Sequence, residues 1–395
     1  MNILDKISPN ECTGCFGCQN SCPKDAIKLL LNEEGFYFPK IDKKKCDNCG
    51  LCIRKCPLLN NYNDRDNKYS NPLVFAARTN DSRLLLKSSS GGIFGEIARE
   101  VLLQNGMVFG AAWDYNLKLQ HVGISDEKEM EKLLGSKYIQ SNINFTYRKV
   151  AKEAVKRKVL FCGTPCQIRA LNLFLKDTAE EAKNNVLTCD IVCYGVPSTK
   201  VFEIYLDFLE KKYKSKISEI YFRNKSKGWN DYCIEVVFKN GERYKKSHRL
   251  DPFLQYFFSD IFLRESCYSC KFSKIPRTGD LTLGDLWGAL KKYYNPKGVS
   301  VVLINTLKGK EMIEKLKREK KIKIEKYPFE QILASNPRID GYEIKTARQK
   351  KFFQDISENK KTFEKIILDY NNFNGFFYFL FKIKQTIKDL IFPHF

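Results

Sequence analysis

The chain has 395 residues, 43% of them hydrophobic, enough for two or three domains with sizeable cores. Its 68 Lys and Arg outweigh 46 Asp and Glu, a formal net charge of +22, and 52 of the 68 are Lys. Base readout favours the rigid Arg fork, and no helix-turn-helix, zinc-finger or single-strand-binding signature occurs, so direct nucleic-acid function is not expected.

The opening MNILDKISPNEC lacks the apolar core of a secretory signal, and no stretch approaches the ~20 apolar residues of a spanning helix. The expected location is the cytoplasm. In such a reducing compartment fifteen cysteines are metal ligands sooner than disulfides. Lysine runs such as 43–45 and 315–323 read as solvated faces, the second on an amphipathic helix, available to steer acidic partners.

Cys12 to Pro23 reads CTGCFGCQNSCP and Cys46 to Pro57 reads CDNCGLCIRKCP, two copies of C-x2-C-x2-C-x3-C-P. Three closely spaced thiolates wrap one corner of a [4Fe–4S] cubane, and the fourth serves the other cluster. The pairing predicts Cys12, Cys15, Cys18 and Cys56 on one cluster and Cys46, Cys49, Cys52 and Cys22 on the second. Gly14, Gly17 and Gly50 keep the loops open, and Pro23 and Pro57 turn the chain out of them. Zinc knuckles use two C-x2-C pairs across a longer gap, and disulfides suit neither compartment nor spacing. Residues 1–60 are thus expected to form a bacterial-type two-cluster ferredoxin domain, with a short helix and a hairpin arm between the runs.

A polar linker is expected at 61–72, then alternating helical and strand periods. GGIFGEIAREVLLQNG is an amphipathic helix before the strand MVFGAAWD; VLFCG is a buried strand; Pro165 opens the helix PCQIRALNLFL. VLTCDIVCYG is a further strand, a helix starts at Ser198, and CIEVVFKNGERYKK is a hairpin about Asn240-Gly241. LTLGDLWG, GVSVVLINT and a helix from Lys308 complete a mixed α/β domain over 73–310, followed by a helical, basic and aromatic extension over 311–395. That tail is too short to span a bilayer; a docking helix or a peripheral contact with anionic lipid suits it. The fold class expected is α+β.

No G-x-G-x-x-G follows a strand and no Walker A loop occurs. KSSSGGIFGE, with Ser88, Ser90, Gly91 and Gly92 before a helix, suits a pyrophosphate or simply caps the helix. GSKYIQS is a second polar loop, whose Lys137 could neutralise phosphate. Of the remaining cysteines, Cys162 and Cys166 flank Gly-Thr-Pro, Cys189 and Cys193 share a strand face by period two, Cys267 and Cys270 form C-x2-C, and Cys233 stands alone. Four of these thiolates could gather into a third metal centre, zinc or iron–sulfur, or remain buried thiols. His121, His248 and His394 sit in no recognisable motif and name no general acid.

SSSGGIFGEIA, GSKYIQS, FCGTPCQIRAL, DIVCYGVPS, FRNKSKGW, SCYSCKFSKIPRTGDLTLGDLWG and KGVSVVLINT occur in an order that resembles the beta-subunit family of coenzyme F420 hydrogenases and dehydrogenases. The likeness runs from Cys12 to about Thr306 and is nearest to bacterial homologues with a fused ferredoxin domain, often linked to exopolysaccharide gene clusters. It implies FAD, contacted by Ser88, Ser90, Gly91, Gly92, Ser136, Lys137, Gln140, Ser141 and Asp285. It also implies a third [4Fe–4S] cluster on Cys166, Cys193, Cys267 and Cys270, leaving Cys162 and Cys189 as packing thiols. The function so implied is a flavin- and iron–sulfur-dependent oxidoreductase joining a two-electron substrate to a ferredoxin- or flavodoxin-like carrier, or to a partner redox subunit. A non-catalytic electron relay is the other reading.

Overall fold

The computed structural model describes residues 1–60, 68–341 and 348–357. Each cysteine run winds into a short helical turn, Gly17–Ser21 and Leu51–Arg54, entered through a left-handed residue, Phe16 (φ 65°) and Gly50 (φ 75°). Between them β1 (Ile27–Leu31) and β2 (Tyr37–Ile41) form an antiparallel hairpin. The helix expected in this arm lies instead inside the first cysteine run, because Ile27 and Leu29 are buried with Lys28 exposed between them, a strand period.

Eight strands form a large sheet and three a smaller one. In chain order they begin with β3 (Lys68–Thr79), β4 (Met107–Trp113), β5 (Leu119–Ile124), β6 (Val159–Gly163) and β7 (Val186–Ile191). Next come β8 (Ile217–Asn224), β9 (Cys233–Phe238), β10 (Arg243–Ser247), β11 (Leu281–Asp285), β12 (Ser300–Thr306) and β13 (Ile322–Lys326). The large sheet runs β13-β3-β12-β11-β7-β6-β4-β5; β8, β9 and β10 make the antiparallel small sheet. Strands β4, β6, β7 and β11 are parallel neighbours, and the outer pairings are antiparallel.

Burial sets these positions. Every residue of SVVLINT in β12 is buried, as a central strand demands, whereas β13 carries the exposed lysines Lys323 and Lys326 that suit a sheet edge. The crossover from β6 to β7 uses the helix Pro165–Leu175, opened by Pro165 and by a Thr164/Gln167 capping box.

Three expectations change. The linker gives way to strand at Lys68, because β3 is held on both sides by β12 and β13. The extension from 311 is not wholly helical, since β13 belongs to the main sheet. Strand β7 stops at Ile191, so period two does not carry to Cys193: Cys189 points into the core around Ile97 and Leu281, and Cys193 leaves in the loop beyond. The aromatic tail and His394 lie outside the described residues.

The ferredoxin part shares one core with the rest. Phe16, Ile27 and Leu29 pack with Tyr147, Ile168, Ala170 and Leu171, the last four fully buried. Across this seam Lys55 Nζ donates to Leu173 O (2.7 Å) and Arg148 Nε to Asn20 O (2.8 Å).

Candidate functional site

A cavity of about 1230 Å³ opens where the parallel strands end, beyond Cys162 of β6, Ile191 of β7 and Asp285 of β11. Ligands of open α/β sheets bind outside such carboxyl ends, and this volume exceeds the ~300–1,000 Å³ of drug-sized pockets. The small sheet closes the far side through Arg223, Tyr232 and His248.

Eight of the nine residues expected at FAD line it: Ser88, Ser90, Gly92, Ser136, Lys137, Gln140, Ser141 and Asp285. Gly91 does not. A Cβ there would sit 2.3 Å from Ala77 O and 2.6 Å from Ser300 N, so its bareness serves packing on β3 and β12. Gly92 adopts φ 81° to enter the helix Ile93–Leu103, where a Cβ would meet Thr79 Cγ2 at 2.6 Å.

Several of the eight already have partners. Ser88 Oγ donates to Leu84 O (2.8 Å) and Ser90 Oγ to Val299 O (2.8 Å). Ser136 N–H donates to Ser89 Oγ (2.6 Å), which joins the two polar loops. Gln140 Nε2 donates to Thr13 O and Gly14 O, both 3.1 Å, and so reaches into the first cysteine loop. Asp285 receives Arg223 through both terminal nitrogens (2.8 and 3.0 Å) and Trp229 Nε1 (2.7 Å). Ser141 Oγ lies 2.7 Å from His121 Nδ1, whose Nε2 meets Cys162 O at 2.9 Å. Burial pushes His121 down to about 4, so it is neutral near pH 7.

Cations converge on the cavity. Lys137 Nζ donates to Leu134 O (2.9 Å) and Gly135 O (3.1 Å), and burial pushes it down to about 8. Arg223 lies over the Tyr232 ring at 3.9 Å. Lys225 binds Leu85 O, Ser90 O and Lys297 O, and burial and the charge of Arg223 push it down to about 7. Arg223, Lys225 and Trp229 all come from FRNKSKGW, a motif quoted for its family likeness without roles for its residues; a buried cation in a polar loop was the available signal.

The cysteines fall into sets. Cys12, Cys15, Cys18 and Cys56 face one another: burial, then like charge within the set, pushes Cys15 and Cys18 up, and Cys56 to about 11. Cys46 and Cys52 face each other in the second loop, and the Cys22 thiol accepts the Ala26 N–H at 3.3 Å. Cys166, Cys193, Cys267 and Cys270 form another set; burial and mutual like charge push Cys166 to about 11, Cys267 to about 12, and Cys193 up. Cys193 lines the cavity, and Cys166 reaches electrostatically to Cys15. Cys162 and Cys189 stand side by side across β6 and β7, with Cys189 fully buried.

Among the described residues no group of three or more His, Cys, Asp or Glu is arranged to hold one metal ion; a zinc centre would need thiolates about 2.3 Å from a common point. A cubane is a larger body shared by four outlying thiolates, and the donor chemistry of these all-cysteine sets fits it. Two further links hold the loop that carries Cys267 and Cys270. Arg277 and Asp190, both fully buried, pair at 2.8 Å, and Asp190 also accepts Gly279 N–H at 2.7 Å.

A ferredoxin-type front whose thiols adjoin a buried thiol set beside a cavity defines an iron–sulfur electron-transfer protein of the oxidoreductase kind. Residues 11–59 match the 4Fe-4S dicluster domain, and residues 156–329 match the C terminus of the coenzyme F420 hydrogenase/dehydrogenase beta subunit. The chain belongs to that beta-subunit family, with a dicluster ferredoxin domain fused in front.

The B component of the Na(+)-translocating ferredoxin:NAD(+) oxidoreductase complex of Acetobacterium woodii is 45% identical over 47 residues, 11% of this chain and 13% of that protein. The VorC component of the ketoisovalerate oxidoreductase of Methanothermobacter marburgensis is 30% identical over 56 residues, 14% of this chain and 71% of VorC. The F420-reducing [NiFe] hydrogenase complex of Methanosarcina barkeri contains a chain of 18% identity, with 72% of this chain and 92% of that chain covered at a TM-score of 0.49. The first relatives are thus matched over a small part of their length. Among the described residues no helix is long and apolar enough to cross a membrane.

Proposed function

We propose that the protein is a flavin- and iron–sulfur-dependent oxidoreductase joining a two-electron substrate in the cavity to a one-electron carrier of ferredoxin or flavodoxin type. One observation carries the reading: the set Cys166, Cys193, Cys267 and Cys270 touches the cavity through Cys193 and the ferredoxin thiols through Cys166. A third [4Fe–4S] cluster on those four cysteines would sit between the two. The cavity's size, its place at the strand ends and the cations Lys137 and Arg223 suit FAD, with the Ser136–Lys137 loop nearest in character to a phosphate cradle. FAD when bound supplies exchange between two-electron and one-electron transfer; the chain's residues bind and orient it and exclude water.

The relay without flavin draws support from Ser88, Ser90, Gln140 and Asp285, whose polar atoms are already engaged within the protein. Anaerobic purification with cofactor extraction and iron counting separates the two. About twelve irons and one FAD per chain are expected, and Cys267→Ser should lower the iron to about eight. Twelve irons without flavin would establish the relay. Eight irons in the unaltered chain, unmoved by Cys267→Ser, would remove the third cluster.

A further inference from the structure

Three arginines are buried among the described residues: Arg223, Arg264 and Arg277. Two of them face a carboxylate, Asp285 for Arg223 and Asp190 for Arg277. Arg264, 2% exposed, has none in ion-pair reach. Its Nη1 donates to Cys12 O (3.0 Å), and its Nη2 to Tyr37 O (3.1 Å) and Gln140 Oε1 (2.9 Å). Its carbon faces the Phe36 ring at 5.0 Å, and its Nε has no partner. A guanidinium met only by neutral oxygens and an aromatic face is a buried, uncompensated charge, which costs several kcal/mol. Glu34, the acid it influences, is exposed.

The anionic groups around Arg264 are thiolates from both sides of the seam: Cys12 and Cys15 of the ferredoxin loop, Cys267 and Cys166 of the inner set. The loop closes tightly on it, since a Cβ at Gly14 would lie 2.8 Å from Nη2. Ser266 Oγ, two residues on, also donates to Cys12 O (3.2 Å).

We propose that Arg264 is a shared counter-charge for two iron–sulfur clusters, the outer one on Cys12, Cys15, Cys18 and Cys56 and the inner one on Cys166, Cys193, Cys267 and Cys270, and that it raises their reduction potentials. The inner half rests on the reading of a third cluster; the outer half does not. Reduction adds one electron to a cluster from a one-electron donor, with no bond made or broken. A fixed cation nearby stabilises the added negative charge. Because arginine keeps its proton at any accessible pH, no proton needs to follow the electron. Arg264 acts through the cluster ligands and is a positioning residue rather than a catalytic one.

The test uses the full chain, loaded with iron under anaerobic conditions and titrated with dithionite while its reduced clusters are followed by electron paramagnetic resonance. Arg264→Gln, carrying the full iron complement, should lower the midpoint of an adjacent cluster by at least tenfold in the oxidised-to-reduced ratio, about 59 mV for one electron. The cluster of Cys46, Cys49 and Cys52 should not follow, and Arg264→Lys should restore most of the shift. A fully loaded Gln variant with unmoved midpoints overturns the proposal.

If the Gln variant does not hold its iron, Arg264→His decides. Its midpoint should fall as pH rises between about 5 and 8 while the wild-type midpoint stays level; a level His profile overturns the proposal. Should iron counting show no inner cluster, the third-cluster reading fails on its own, and the midpoint of the Cys12 cluster still judges Arg264.

Discussion

Lys137 is the residue at which the cavity senses pH. Burial holds its ammonium at about 8, well under the free value of 10.5, with the Cys162 sulfur pulling weakly the other way. The sign follows from that direction. Below about 8 the charge is present and attracts an anion; as pH climbs through 8 the proton leaves, long before a free lysine would release it. Flavin affinity should therefore fall between pH 7 and 9. Lys137→Met should bind about tenfold more weakly at pH 7, about 1.4 kcal/mol, with a flat profile, read by flavin fluorescence quenching. A Met variant that kept the wild-type slope would place the sensing group elsewhere. His121, held at about 4, is no general acid in this range.

The turn into the helix Ile93–Leu103 shows how packing and binding are confused at the scale of an element. Gly91 donates its N–H to Ser300 Oγ (2.9 Å) and accepts the Thr79 N–H (2.7 Å), which clamps the helix start onto β3 and β12. Gly91→Ala should therefore cost ~2–3 kcal/mol, lowering the melting temperature by ~5–10 °C whether or not flavin is present. A melt unchanged by Gly91→Ala would show that the clamp can give way.

What could be read in advance at this scale depended on how local the cause was. The doubled cysteine spacing, the Pro165 helix start and the Asn240-Gly241 hairpin carry their reasons within a dozen residues. Strand β3 does not, because its partners β12 and β13 arrive more than 200 positions later. Arg264 was invisible for the same reason: its surroundings are assembled from Cys12, Tyr37 and Gln140, three segments that meet only in the fold. Asp285 was found without its partner, since Arg223 belongs to another sheet.

At the scale of the whole molecule the ferredoxin part is no detachable bead. Removing residues 1–60 would uncover Tyr147, Ile168, Ala170 and Leu171, all fully buried, and would strip Arg264 and Gln140 of their carbonyl partners. The truncated chain should aggregate or melt far below the intact protein, as light scattering and thermal denaturation would report; a stable truncated monomer would refute this reading of the seam. Surface charge acts in a different place. With a net charge of +22, turnover with an acidic reduced ferredoxin should slow several-fold as salt rises and shortens the ~10 Å screening length of 0.1 M. A rate indifferent to salt would argue against a steered encounter.

The common core across the seam has a kinetic consequence. Two redox modules sharing buried side chains never separate to find each other again, so their mutual effective concentration is set by the fold and not by the cell. Passage between the cavity side and the front clusters is then first order, with the same half-time at nanomolar and at micromolar protein. Abundance governs only how often an outside carrier arrives.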